Sequence, residues 1–204
     1  MPKLKAAFFY FFGLLVVMIV ATIFLFIEGH ANSFLLLNTY HNKFADYIFF
    51  YITYIGDGWF AVFVSVLLSI FPKTRKLAII VFTSYAVSGL LAQLVKHLAE
   101  TPRPSTYFSL LQYHKFVEGV DLAGSNSFPS GHTTTAFSLA SVLACYTQNK
   151  KIQFLYLILA VAAGYSRIYL GQHFLTDVVV GAFFGTMTSI IAVMIGEKLK
   201  PQAV

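Results

Sequence analysis

Three short clusters in the sequence hold residue types suited to work on an anion. The first is Lys96 followed, after six residues, by Arg103 between Pro102 and Pro104, which sets two cations at a stiff turn. The second is Phe128-Pro129-Ser130-Gly131-His132, just ahead of an apolar run at about 133–147. Pro129 gives that run a rigid start and Ser130 reads as its N-cap. The unpaired N–H groups and the dipole of such a helix start favour an anion. Gly131 lets a ligand approach the backbone, and His132 in the first turn points into the same space. The third cluster is Ser166-Arg167, then His173 and Asp177 at the head of the last apolar run. A spacing of four puts His173 and Asp177 on one helix face, where the carboxylate can accept from Nδ1–H and leave Nε2 bare as a nucleophile.

Each cluster has a plainer reading when taken alone. Lys96 and Arg103 could both snorkel to headgroups, Ser130 could cap an ordinary helix, and Asp177 could simply favour a helix start. The elements that position them therefore matter. The chain has 204 residues, 58% of them hydrophobic and only 11% charged, with a mean hydropathy of +0.74. Soluble chains carry about 25% charged residues, so a bilayer is the solvent this composition fits. A single cysteine, Cys145, excludes an internal disulfide framework and a cysteine zinc site.

Apolar runs at 6–27, about 58–71, 77–95, 133–147, 152–170 and 176–196 give six expected spans. A cleaved signal peptide is the competing reading of the first, though the run is long for one and lacks a clear cleavage site. Residues 43–55 are expected to form a short interfacial helix before the second span. All six prolines fall outside these runs or at their edges. The fold expected is thus all-α, an integral membrane bundle of six transmembrane helices in one domain, 1–204.

The net charge of +6 does not indicate nucleic acid, because the cations cluster at span ends. Lys3, Lys5, Lys73, Arg75, Lys76, Lys150, Lys151, Lys198 and Lys200 share one side of the six-span layout. The positive-inside rule makes that side, and both termini, cytoplasmic. The three clusters then share the outer face, with the connections at about 28–57 and 100–130.

In order, the clusters read Lys96-x6-Arg103-Pro104, Pro129-Ser130-Gly131-His132 and Ser166-Arg167-x5-His173-x3-Asp177. This combination resembles the type 2 phosphatidic acid phosphatase (PAP2) superfamily, in its membrane lipid phosphatase branch, whose signature soluble vanadium haloperoxidases share. Every signature position is filled, while the first 95 residues and the loop 105–127 carry no match. The resemblance implies that His173 attacks phosphorus to form a phosphohistidine, with Asp177 fixing its tautomer. It implies that His132 protonates the leaving oxygen and later activates water. Lys96, Arg103, Arg167, Ser130 and the Gly131 N–H would hold the phosphoryl oxygens. No metal or other cofactor is implied, and the scattered Glu100, Glu118 and Asp121 offer no magnesium cluster.

The partners implied are a lipid phosphate substrate and membrane lipids, in a bacterial inner membrane with the site facing outward. Undecaprenyl pyrophosphate and phosphatidylglycerol phosphate are the substrates the resemblance suggests first. Lipid A dephosphorylation is the nearest alternative. A haloperoxidase and a non-catalytic lipid-phosphate binder or transporter stand further off, since binding alone would need the cations but not His132, His173 and Asp177 together. Lys115, Tyr107 and Tyr113 are expected to contribute to headgroup choice. His97 should point away from Lys96, while His30, His41 and His114 should be solvated. Gly181 and Gly185 should permit close helix packing, and Trp59 should belong to an aromatic belt.

Overall fold

The computed structural model describes residues 2–108, 116–122 and 124–198. Tyr113, His114, Lys115 and Lys200 lie outside the described residues. The elements are α1 (Pro2–Ala6), α2 (Phe8–Leu37), α3 (Lys43–Ile52) with a 3₁₀ turn Thr53–Gly56, α4 (Gly58–Ile70), and a second 3₁₀ turn Pro72–Thr74. They continue with α5 (Arg75–Ala99), α6 (Pro104–Tyr107), α7 (Gly131–Cys145), α8 (Lys150–Tyr169) and α9 (Leu175–Lys198). No strand occurs among the described residues. Short polar side chains set several starts: Asn42, Asp57, Ser130 and Asn149 each accept a backbone N–H in the first turn of α3, α4, α7 and α8.

The bundle is built around α7, which packs against α9, α8 and α5. Twelve of its fifteen residues are buried, and they are mostly small or hydroxyl-bearing. Those hydroxyls find partners inside the bundle. Tyr10 Oη lies 3.0 Å from Ser141 Oγ, and Ser84 Oγ lies 2.7 Å from Ser138 Oγ. In an apolar medium such pairs and close van der Waals packing, rather than a hydrophobic drive, hold helices together. Gly181 and Gly185 let α9 lie directly on α7, as their spacing led us to expect. A Cβ at Gly181 would sit 2.7 Å from the Ser130 carbonyl oxygen, and one at Gly185 would overlap the Thr134 carbonyl oxygen.

The outer surface is apolar. Phe26 is 91% exposed and Leu90 72%, values that make sense against lipid tails and not against water. Among the described residues, four helical segments are long and apolar enough to cross a membrane: Phe8–Leu37, Pro72–Tyr107, Lys150–Tyr169 and Leu175–Lys198. A fifth arises if Lys43–Gly56 and Gly58–Ile70, bent by 58° at their junction, count as one broken span. The protein is an integral membrane protein, with four or five candidate spans among the described residues. The difference from six has a physical source in α7, whose fifteen residues rise only about 22 Å and are surrounded by other helices.

One connection also differs from the sequence reading. α2 runs on to Leu37, with non-helical backbone only at Gly29 (φ 75°), so most of 28–57 is helical and not a loose outer loop. His30 is exposed and His41 partly so, and both also meet aromatic rings. His30 stacks on Phe174 with ring centroids 4.0 Å apart and bonds Thr176. His41 bonds the Asn38 carbonyl oxygen and lies over Tyr169.

The seam between α7 and α9 yields a direct test. Gly185→Ala should lower the apparent melting temperature of the detergent-solubilised protein by several degrees, since overpacking costs about 1–3 kcal/mol and each kcal/mol is worth ~2–4 °C at this size. Gly89→Ala, where an added Cβ meets nothing within 4 Å, should stay within about 0.5 kcal/mol of the wild type. Equal melting temperatures for the two variants would contradict the close α7–α9 contact.

Candidate active site

All three sequence clusters converge at one end of α7. α5 ends at Glu100, whose φ of 42° turns the chain back. Arg103 is fixed by its backbone N–H to the Gly124 carbonyl oxygen. Ser127 N–H donates to the Thr101 carbonyl oxygen, and Phe128 N–H to Thr101 Oγ1, so the stretch before α7 is pinned to the exit of α5. Ser130 N–H donates to the Asp177 carbonyl oxygen at 3.0 Å, which joins the starts of α7 and α9.

The cations are buried or half-buried and rest on neutral oxygens of the protein. Lys96 Nζ donates to the Asn126 carbonyl oxygen at 2.6 Å. Arg103 Nε donates to the Ser125 carbonyl oxygen at 2.9 Å, and its Nη1 to Gln172 Oε1 at 2.8 Å. Arg167, only 8% exposed, donates through Nη1 to Thr53 Oγ1 at 2.7 Å. Its Nε is buried with no hydrogen-bond partner among the described residues. An unpaired buried guanidinium N–H is costly, and an anion would relieve it. The charges of Lys96, Arg103 and Arg167 also act on His132, and those of Arg103 and Arg167 on His173.

His173 is 2% exposed and lies two residues before α9 begins. Its Nδ1 is 3.4 Å from Asp177 Oδ2 and equally 3.4 Å from Ser127 Oγ. Asp177 Oδ2 also accepts from Ser127 Oγ–H at 2.5 Å and from Phe174 N–H at 2.9 Å. The Phe174 bond is the reach-back half of a capping box. The helix-start and imidazole-orienting readings of Asp177 therefore hold together.

His132 opens α7, with Nε2 4.0 Å from Asp57 Oδ2. Gly56 packs against the His132 backbone so tightly that a Cβ would lie 2.5 Å from its carbonyl oxygen. Ser130 is fully buried and caps α7, accepting from Thr133 N–H at 3.3 Å and Thr133 Oγ1–H at 2.8 Å. Its own hydroxyl proton remains for a ligand. Open space lies over Gly131. His97 is exposed and turned away from the site.

A cavity of about 480 Å³ lies along α5, from Lys96 to Gly89 and Leu90, with Gly56, Gly58 and the start of α7 at Gly131 and His132 forming its other side. Tyr107 sits beside the site, its ring 5.4 Å from that of Phe174. No group of three or more histidine, cysteine or carboxylate side chains able to hold a metal occurs among the described residues.

Five contact residues were not marked by the sequence reading: Thr53, Asp57, Asn126, Ser127 and Gln172. Each meets its partner across a long stretch of chain, so spacing carries no trace of it. Asn126 is the partial exception, since its φ of 57° belongs to a backbone region that asparagine tolerates better than most residues.

A helical membrane bundle with a buried anion cradle beside two imidazoles narrows the class considerably. The family model described as the PAP2 superfamily matches residues 77–200, more than half of the chain, and the protein belongs to that superfamily. It is 31% identical over 128 residues to the bacitracin transport permease protein BcrC of Bacillus licheniformis, covering 62% of this chain and 59% of that one. It is 32% identical over 132 residues to an undecaprenyl-diphosphatase of Sulfolobus acidocaldarius, covering 65% and 61%. The chain thus spans about six tenths of the length of these curated relatives, and other relatives are named lipid A phosphatases. The crystal structure of a transmembrane PAP2 type phosphatidylglycerolphosphate phosphatase from Bacillus subtilis superposes with a TM-score of 0.69 at 21% identity, over 100% of both chains. That likeness establishes the fold.

Burial pushes the His173 imidazole down from its ordinary value to about 3, against the opposing pull of Asp177. The free protein therefore holds it uncharged at neutral pH. A histidine that resists protonation only when folded favours the unfolded chain as pH falls from about 6.5 towards 3, at up to about 1.4 kcal/mol per pH unit. Melting temperatures measured at pH 7.5 and pH 4.5 should fall by several degrees more for the wild type than for His173→Asn. Parallel falls would show that His173 is not held neutral.

Proposed function

We propose that the protein is a metal-independent lipid phosphatase that hydrolyses a lipid phosphomonoester or pyrophosphate through a phosphohistidine on His173. The observation that carries this reading is the buried His173–Asp177 pair beside three cations, with Arg167 Nε left unpaired. Anion binding alone needs the cations. It gives no use to a buried neutral imidazole backed by a carboxylate.

In the first step Nε2 of His173 attacks phosphorus, an N–P bond forms and the P–O bond to the leaving group breaks. His132 donates its proton to the departing oxygen. In the second step His132 takes a proton from water, the water oxygen bonds to phosphorus, and the N–P bond breaks to release phosphate and neutral His173. Lys96, Arg103, Arg167, the Ser130 hydroxyl and the Gly131 N–H hold the phosphoryl oxygens and offset the charge that grows on them. Asp177 keeps the proton on Nδ1 and stabilises the imidazolium as it forms.

The cavity along α5 supports a substrate with a lipid chain. A headgroup at Lys96 and His132 would send its chain outward past Gly89 towards Leu90 and the lipid. The substrate we favour is of the undecaprenyl pyrophosphate or phosphatidylglycerol phosphate type, with a lipid A phosphatase as the alternative. A binding or transport role has the permease name of one relative in its favour. In the membrane we place six spans, counting α3–α4 as one and α7 as another, with α3 near the interface. The single domain 1–204 then has both termini in the cytoplasm and its site at the outer face of a bacterial inner membrane.

The experiment is phosphate release from a panel of these lipids by the purified protein in EDTA. The wild type should release phosphate, and His173→Ala should retain less than roughly a hundredth of that rate. Gly89→Leu should cut kcat/KM for the long-chain lipid by about tenfold or more, the value of one misfit in an apolar slot, and spare a short, water-soluble phosphomonoester. An active His173→Ala would refute the nucleophile, and silence across the panel with folded protein would favour binding or transport.

A further inference from the structure

We propose that Ser127 is a positioning residue that sets the relation between His173 and Asp177; the inference rests on the phosphatase reading of the same site. Ser127 is 1% exposed, and its side chain sits between the two members of the pair. Its hydroxyl donates to Asp177 Oδ2 at 2.5 Å, while its Oγ faces His173 Nδ1 at 3.4 Å. A hydroxyl has one proton, so the proton given to Asp177 leaves a lone pair for Nδ1–H. The imidazole N–H thus meets two oxygens at equal distance, one neutral and one anionic.

The backbone around Ser127 holds this geometry. Its N–H is tied to Thr101, and the Asn126 carbonyl oxygen takes Lys96 Nζ. The Ser127 carbonyl oxygen is itself 3.5 Å from Lys96 Nζ. One residue therefore meets members of the first and third clusters while standing next to the second.

The consequence concerns charge. When Nε2 bonds to phosphorus the ring becomes cationic, and Nδ1–H turns into a stronger donor. A carboxylate already held by the Ser127 hydroxyl and Phe174 N–H is less basic than a bare one, so it stabilises the imidazolium and leaves the proton on the ring. Ser127 also keeps Asp177 Oδ2 from swinging away from Nδ1.

A double-mutant cycle over Ser127→Ala and Asp177→Asn tests this. Ser127→Ala should lower kcat by about 10- to 100-fold, the range of one hydrogen bond to a charged group, with KM within about threefold of the wild type. In the Asp177→Asn background the same change should cost less than about threefold, because a residue that acts through Asp177 has little left to act on. Ser127→Thr should restore most of the rate. If Ser127→Ala does not fold, Ser127→Thr and Ser127→Val have the same shape and differ in the hydroxyl. The proposal falls if the hydroxyl-free variant turns over like the wild type, if its cost is undiminished beside Asp177→Asn, or if KM alone changes.

A readout independent of turnover separates this idea from the phosphatase reading. In the ligand-free protein the His173 Nδ1–H proton resonance should move when Ser127 loses its hydroxyl. A moved resonance in a protein that hydrolyses no lipid would sink the phosphatase reading and keep the positioning contact. An unmoved resonance would overturn the positioning contact.

Discussion

The site depends on one seam, the contact of α7 with α9. Ser130, Gly131 and His132, proposed to hold phosphate and move protons, lie at the start of α7, and His173 and Asp177, the proposed nucleophile and its carboxylate, lie at the start of α9. Two glycines without side chains, Gly181 and Gly185, set the distance between them. The Ser130 N–H bond to the Asp177 carbonyl oxygen then fixes the register of the two helix starts. Widening the seam by one methyl group would separate His132 from His173 before it disturbed either one alone. This is why a short helix dense in threonine and serine occupies the centre of a bundle otherwise coated in phenylalanine, leucine and isoleucine.

The second constraint is the accumulation of positive charge in a poorly solvated place. Lys96, Arg103 and Arg167 repel one another, and Asp177 and Asp57 are the carboxylates that act on them. The fold lowers the cost by giving each cation a neutral oxygen to rest on: Asn126 and Ser125 carbonyls, the Gln172 amide and the Thr53 hydroxyl. These acceptors orient the donors without cancelling their charge. A phosphoryl group supplies what they cannot, a full negative charge and an acceptor for Arg167 Nε. Binding and pre-organisation thus follow from the same arrangement, because the donors are already in place when charge develops.

Much of this was legible in the sequence, for reasons that differ by residue. The signature side chains could be named because their spacing reflects local geometry, as with Asp177 one turn after His173. The glycine pair on α9 was legible because helix packing has a period. Ser127 and Asp57 were not, because their partners are distant in the chain and their types are common in loops. The apolar run at 133–147 did not reveal that α7 is short and largely enclosed by the other helices. His30 and His41 keep some exposure, as their polar sequence neighbours suggest, but the aromatic rings of Phe174 and Tyr169 that meet them in space left no trace in the spacing.

The central claim is that His173 carries the phosphoryl group. Mixing the purified protein with a lipid radiolabelled in its terminal phosphoryl group and quenching in alkali within one turnover tests it most directly. The account predicts label that is stable to alkali, labile to acid and located on the peptide containing His173, absent when His173 is alanine. Phosphate release at a normal rate with no such label would contradict it and point to direct attack by water.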